Sequence, residues 1–300
     1  MPLIVSDVYR RQRLPWSERM HALGDTNMPL RDILRKIGSK PLVVKLTSGL
    51  GIRGLLLWGY RYFFAPQGGE HEVCVEGRRA KFHIYSEFTV QVLDDLCGER
   101  PMLEYLMGRL APGDCFYDIG AATGLYTVFL AQVVGPKGSV IAFEPQRDPC
   151  ERLLENVRLN KLTNVQAFQL ALSDQDGSAI LQIADVAGAG RIVGPSEHSR
   201  MPAEHVKIVQ GDRFIQSRGL RFPRAVKIDV EGHEYSVLSG LSHTLSQPSS
   251  ELVCCEVHPR FLPGGLKADD VLALLRSMGF TEIESHSRAD DLHVWASKHA

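Results

Sequence analysis

The chain has 300 residues, enough to bury a full core, and its composition is that of a soluble globular protein, 44% hydrophobic and 23% charged. A formal net charge of −1 excludes the cationic excess with which general nucleic-acid binders meet phosphates. The balance is uneven, because residues 1–61 hold eleven Lys/Arg against four Asp/Glu and leave 23 against 31 in the remainder. A basic leader on an acidic body predicts contact with an anionic surface, or simply a solvated face on a small accessory region.

Residues 1–69 have weak periodicity and end at the breaker cluster Pro66-Gln67-Gly68-Gly69. No apolar leader with a small-residue cleavage site is visible. The apolar stretch 42–64 is interrupted by Lys45, Arg53 and Arg61, which is too much charge for a span and leaves at most a peripheral membrane contact. The six cysteines form no C-x-x-C pair, and some lie in apolar runs such as Leu252-Val253-Cys254-Cys255. Free thiols in a reducing cytoplasm are the expectation.

A hairpin is predicted next, with 72–75 and 81–84 alternating around Glu76-Gly77-Arg78, then helical patterns at 87–96 and 101–110. From Cys115 strands and helices alternate. Strands are predicted at 115–119, 139–143, 165–172, 225–229 and 251–257, and helices at 125–134, 148–162, 235–245 and 269–278. An irregular insert follows the third strand. A strand pair at 281–285 and 292–296 closes the chain, too close together for a crossover helix and therefore antiparallel. Such alternation predicts right-handed βαβ units, a mostly parallel α/β sheet with an antiparallel last strand, and an N-terminal accessory region. The boundaries are 1–110 for that region, expected to cover the cofactor and shape the acceptor pocket, and 111–300 for the α/β domain.

In such sheets ligands bind at the carboxyl ends of strands near the topological switch point. The first strand ends in Asp118-Ile-Gly120-Ala121-Ala122-Thr123-Gly124, where Gly120 and Gly124 allow a tight turn and a close backbone approach. A dinucleotide fingerprint needs glycine at position 122, which is alanine, and Asp118 would repel a diphosphate but attract a cationic amino-acid moiety. Glu144, at the next strand tip, can accept from both ribose hydroxyls. A ligand with a positive amino-acid end and a ribose but no phosphate is required, and S-adenosylmethionine fits. Ala121, Pro145, Ser173 and Asp229 complete the expected cofactor contacts at these tips.

The segments Asp118-Ile-Gly-Ala-Ala-Thr-Gly-Leu-Tyr-Thr127, Ala142-Phe-Glu-Pro145, Leu154-Glu-Asn156 with Asn160, and Lys227-Ile-Asp-Val-Glu-Gly232 followed by Glu234 resemble the FkbM-type methyltransferases. The resemblance covers roughly 99–298, and its most specific element is Lys227 to Glu234. Glu99 falls where that family carries a glutamate ahead of its Pro-Gly-Asp turn, which adds it to the cofactor contacts. Ala122-Thr123 departs from the family's usual Asn-Ile. The resemblance implies a seven-stranded, Rossmann-like class I methyltransferase fold. It also implies methylation of a hydroxyl on a sugar, glycan or polyketide-like small molecule.

Methyl transfer to an alcohol gains from an in-line acceptor and a base within hydrogen-bond reach. Asp229, ending the fourth strand, is the first candidate, with a helix-capping role as its structural alternative. Glu231 follows on the turn, and His258 lies beyond the fifth strand at the same sheet edge, where it is otherwise a loop histidine. Lys227 shares the strand face of Asp229 and can neutralise it or reach a carboxylate. Asp229, Glu231, Glu256 and His258 could instead converge on Mg²⁺ or Mn²⁺. Their spacing is no metal signature, and no metal ligand is assigned. Two other functions fit the topology: a nicotinamide-dependent oxidoreductase, disfavoured by the missing third glycine, and a non-catalytic binding module. No Asn/Asp-Pro-Pro-aromatic motif follows the fourth strand, which argues against methylation of base amino groups.

Overall fold

The computed structural model describes residues 69–85, 93, 96–183, 190–193 and 202–298, all within a compact unit, Pro66–Ala300. The stretch 42–64 and most of the helical pattern at 87–96 lie outside the described residues.

Strand β3 (Cys115–Ile119) is buried along its whole length, as a central strand covered on both faces must be. Its side chains alternate. Phe116 joins the core on one face, while Cys115, Tyr117 and Ile119 join the core on the other. After β3 come α2 (Leu125–Val134), β4 (Ser139–Phe143), α3 (Arg147–Leu159) and β5 (Val165–Phe168). The chain then returns to the other side of β3 with β10 (Ala225–Asp229), α5 (Glu234–Gly240), α6 (Ser242–Ser246), β11 (Leu252–Val257) and α7 (Ala268–Ser277). Strands β12 (Glu282–Arg288) and β13 (Asp291–Ser297) complete a seven-stranded sheet of order β12-β13-β11-β10-β3-β4-β5. Only β13 runs against its neighbours, pairing antiparallel with both β11 and β12. The direction of winding reverses between β3 and β10, which makes that seam the switch point.

The hairpin of β1 (Glu70–Val75) and β2 (Arg78–His83) and helix α1 (Arg100–Arg109) belong to this core rather than to a layer of their own. Val73, Val75, Phe82, Leu103 and Leu106 pack with Phe129 and Leu153 of α2 and α3. The free edge of β2 is satisfied by two asparagines of α3, which is one way to blunt an exposed strand edge. Asn160 accepts from the Lys81 N–H at 2.8 Å and donates to the Lys81 carbonyl at 2.6 Å. Asn156, 1% exposed, accepts from the His83 N–H at 2.9 Å and donates to the Thr123 carbonyl at 2.9 Å. Asn156→Ala strands a donor and an acceptor, so a loss of about 2 kcal/mol is expected. Urea denaturation would show a lower midpoint at unchanged slope; an unchanged midpoint would mean water replaces both bonds.

Three expectations need correction. The strand expected at 165–172 breaks after Phe168, where the Leu170 N–H turns back to the Phe168 carbonyl at 3.0 Å. Its second half, β6 (Ala171–Ser173), enters a separate four-stranded sheet of order β6-β9-β7-β8, with β7 Gly177–Ile183, β8 Gly190–Val193 and β9 Ala203–Gln210. The irregular insert is therefore largely a sheet. It also contributes an unforeseen helix, α4 (Gly211–Arg218), capped by the Gln210 side chain and ended by Gly219 at φ 60°. The helix expected over 235–245 is broken into α5 and α6 at Leu241.

The expected free thiols hold for Cys74, Cys115, Cys150, Cys254 and Cys255. Among the described residues no helix is long and apolar enough to cross a membrane.

Candidate active site

At the switch point the chain leaves β3 through Gly120, whose φ of +75° is open to glycine at little cost. The Gly120 and Ala121 N–H groups donate to the Phe143 carbonyl at 3.0 and 3.1 Å, tying the turn to the tip of β4. Ala122 takes a φ of 46°, which aims its N–H at Glu144 Oε2, 2.8 Å away. The Gln146 N–H reaches Glu144 Oε1 at 2.9 Å. Burial lifts the Glu144 carboxyl to about 7, against the pull of those two N–H donors. One lone pair on each oxygen remains for a further donor, the arrangement that a pair of vicinal hydroxyls requires.

Glu144 lines a narrow cleft with Gly120, Leu172, Ile192, Asp229 and His233. Leu181, Gly190 and Ile192 of the insert sheet form one wall.

Beneath the cleft lies a buried charge layer. Asp118, fully buried, accepts from the Thr127 hydroxyl at 2.5 Å, and its other oxygen has no hydrogen-bond partner among the described residues. Burial raises its carboxyl above the usual range, with Lys227 and Thr127 holding part of that back. Lys227 donates to the Gly120 carbonyl at 2.9 Å and stands 3.4 Å from Asp229 and 3.9 Å from Asp118. Burial alone would depress this ammonium, but Asp229 and Asp118 outweigh it and hold it above its ordinary range. It thus stands between the two aspartates and the Gly120 turn.

The rim is acidic. The turn after β10 carries Glu231 at φ 51°, a left-handed conformation that costs a non-glycine residue energy. His258, 4% exposed, bonds Glu234 Oε1 through Nδ1 at 2.8 Å. Its Nε2 faces Glu231 at 3.6 Å and Asp229 at 3.9 Å. Burial opposes charge on this ring, but Glu234, Asp229 and Glu231 outweigh it and lift His258 to about 9. Burial also raises Glu231, with His258 opposing. Glu256, 3.1 Å from His293, is held below its ordinary range by that contact in spite of burial.

Of the residues expected from the sequence, Gly120, Glu144, Pro145, Asp229 and Glu231 line the cleft, and His258 stands directly behind the last two. Asp118, Ala121, Gly124, Ser173, Lys227 and Glu99 do not. Gly124 starts α2 and leaves room for Leu153, whose Cγ a Cβ would meet at 3.0 Å. Ser173 is taken up by Asp174 and by His233 Nε2, each at 3.0 Å. Glu99 accepts from the Tyr126 hydroxyl and from Arg288, each at 2.9 Å, so it ties α1 to the C-terminal strand pair. Gln146, His233 and the insert wall were not foreseen. Nor was the role of Glu234, although it stands in the segment Lys227 to Glu234 that the sequence singles out.

Residues 118–282 match the family described as the methyltransferase FkbM domain. The chain is similar to the hexuronic acid methyltransferase AglP of Haloferax volcanii, with 30% identity over 73% of this chain and 86% of that one. It is also similar to the 31-O-demethyl-FK506 methyltransferase FkbM of Streptomyces tacrolimicus, with 27% identity over 64% of this chain and 80% of the other. Among solved structures, Aeropyrum pernix fibrillarin with bound S-adenosyl-L-methionine aligns at a TM-score of 0.41 and 13% identity, over 76% of this chain and 82% of that one.

Proposed function

The chain belongs to the FkbM family of methyltransferases, and from that premise we propose that it methylates a hydroxyl oxygen of a sugar, glycan or polyketide-like product with S-adenosylmethionine as donor. One observation carries the reading: Glu144 and Asp229, from tips on either side of β3, line the same cleft. The cofactor fits the groups present. Glu144 offers its two free lone pairs to a ribose, and position 122 lacks the glycine of a pyrophosphate cradle. When bound, S-adenosylmethionine supplies an electrophilic methyl group on a sulfonium.

The protein's own part is to hold and orient the acceptor. Asp229 has one oxygen toward Lys227 and the other toward His258, which fixes the carboxylate at the strand tip. From there it accepts the hydroxyl hydrogen bond of the acceptor and takes the proton as the new C–O bond forms. A ring lifted to about 9 carries its proton at neutral pH, so His258 acts as a fixing group and not as the base. The relatives named above act, by name, on a hexuronic acid and at an oxygen of FK506, and both kinds of acceptor carry hydroxyls.

The test is incubation with methyl-labelled S-adenosylmethionine and three acceptors: a uronic-acid glycoside, a neutral hexoside and a hydroxylated macrolactone. Alkali-stable label on at least one, with the mass gain of a single CH₂, is expected. Label removed by mild alkali would place the methyl on a carboxyl group, and no label on any acceptor would sink the reading. Asp229→Asn should lower turnover at saturating donor by about 10²-fold or more; an unchanged rate would remove Asp229 from the chemistry.

A further inference from the structure

We infer that Asp229, Glu231 and His258 Nε2 form a site for a hard divalent cation, Mg²⁺ or Mn²⁺, on the acceptor side of the cleft.

Geometry is the first argument. One ligand atom from each of the three residues lies within 4.8 Å of the others. The Nε2 separations from Glu231 and Asp229 are 3.6 and 3.9 Å, too long for hydrogen bonds. Two ligand atoms each about 2.1 Å from one ion stand about 3–4 Å apart, so the gaps match a cation between them. The ring is not short of a normal hydrogen bond, because its Nδ1 reaches Glu234 at 2.8 Å.

The imidazole is the second and independent argument. His258 is 4% exposed, and among the described residues its Nε2 has no hydrogen-bond partner. Glu234, fully buried, also accepts from the Gly232 N–H at 2.8 Å, so its carboxylate is fixed. It thereby holds a proton on Nδ1 and turns Nε2 toward Asp229 and Glu231. A buried carboxylate behind a histidine is the support that metal-ligating imidazoles use. Proton and metal compete for the same Nε2 lone pair, so loading the site releases the ring's second proton.

Two carboxylates and one imidazole form a donor set for Mg²⁺ or Mn²⁺ rather than for a thiophilic metal. Such ions take about six ligands, so positions beyond the three protein atoms stay open to water or to acceptor oxygens. A vicinal diol of a sugar would occupy two of them, and the ion would make the bound hydroxyl easier to deprotonate. This last step deepens the methyl-transfer reading and rests on it, whereas the cation site itself does not.

The experiment is Mn²⁺ titration of the full chain, read from loss of the free-ion electron paramagnetic resonance signal. One saturable Mn²⁺ per chain is expected, at least tenfold weaker in both Glu231→Gln and Asp229→Asn. Glu72→Gln, an exposed carboxylate on the hairpin, should keep the affinity of the parent. Absence of a saturable site, or affinity unchanged in both rim variants, overturns the assignment. Circular dichroism confirms that each variant is folded, and the two isosteric replacements back each other. Parallel calorimetry with S-adenosylmethionine separates the two readings. Donor binding without Mn²⁺ binding overturns only the cation site, and Mn²⁺ binding without donor binding overturns only the methyl-transfer reading.

Discussion

Gly120→Ala is expected to abolish donor binding and to lower folding stability by about 3 kcal/mol or more. Two penalties combine at one position. The turn holds φ at +75°, and an added Cβ would lie 1.8 Å from the Asp229 carbonyl oxygen and 2.9 Å from its carbon. Those atoms are backbone at the end of a buried strand, so no side chain can swing aside to relieve the overlap. The loops after β3 and β10 must separate, and Gly120 then loses the Lys227 hydrogen bond at its carbonyl. Urea denaturation and calorimetric titration with S-adenosylmethionine check the two effects together. A parent-like unfolding midpoint would mean that the two loops are not in contact as described.

Glu144→Gln is expected to weaken S-adenosylmethionine about 10²-fold, from the loss of two hydrogen bonds to a charged acceptor. The same substitution sets an amide NH₂ against either the Ala122 or the Gln146 N–H, which now share the two carboxylate oxygens. A pH signature accompanies the affinity loss. The folded carboxyl sits near 7 against 4.5 for the free group, so the folded state binds this proton more tightly than the unfolded chain does. The Glu144 contribution to stability therefore falls as pH rises from about 4.5 to about 7 and is level above that. Donor affinity runs the opposite way and rises through the same range, because the ionised form accepts from both ribose hydroxyls. In Glu144→Gln both slopes should disappear. Parent protein whose donor affinity is flat between pH 6 and 8 would show that Glu144 does not carry the ribose contact.

Local chemistry made much of this protein legible before any fold was known. The alternation of short apolar runs with helical periods, and glycines at strand ends, are properties of neighbouring residues. They suffice to order β3, β4, β5, β10, β11, β12 and β13 of the main sheet, to place Gly120, Glu144 and Asp229 at strand tips, and to make the last two strands antiparallel. Resemblance along Asp118 to Thr127 and Lys227 to Glu234 supplied the family. The insert sheet was not legible in the same way, because its strands pair in the order β6-β9-β7-β8, which is not their order along the chain.

Which way each charged side chain points was decided only by the tertiary structure. Asp118 sits at a strand tip in the sequence, yet it is buried beneath the turn, because a period of two sends it to the face that α2 covers with Thr127. Glu99 meets Arg288 across 189 residues, and Glu234 meets His258 across 24. Neither distance carries a periodicity from which the meeting could be read. By itself the sequence determined the order of elements in the main sheet and the tips that bear carboxylates. Packing determined which of those carboxylates face the cleft, which are consumed by buried partners, and which three donor atoms converge at the rim, because desolvation and ion pairing depend on neighbours that only the closed fold brings together.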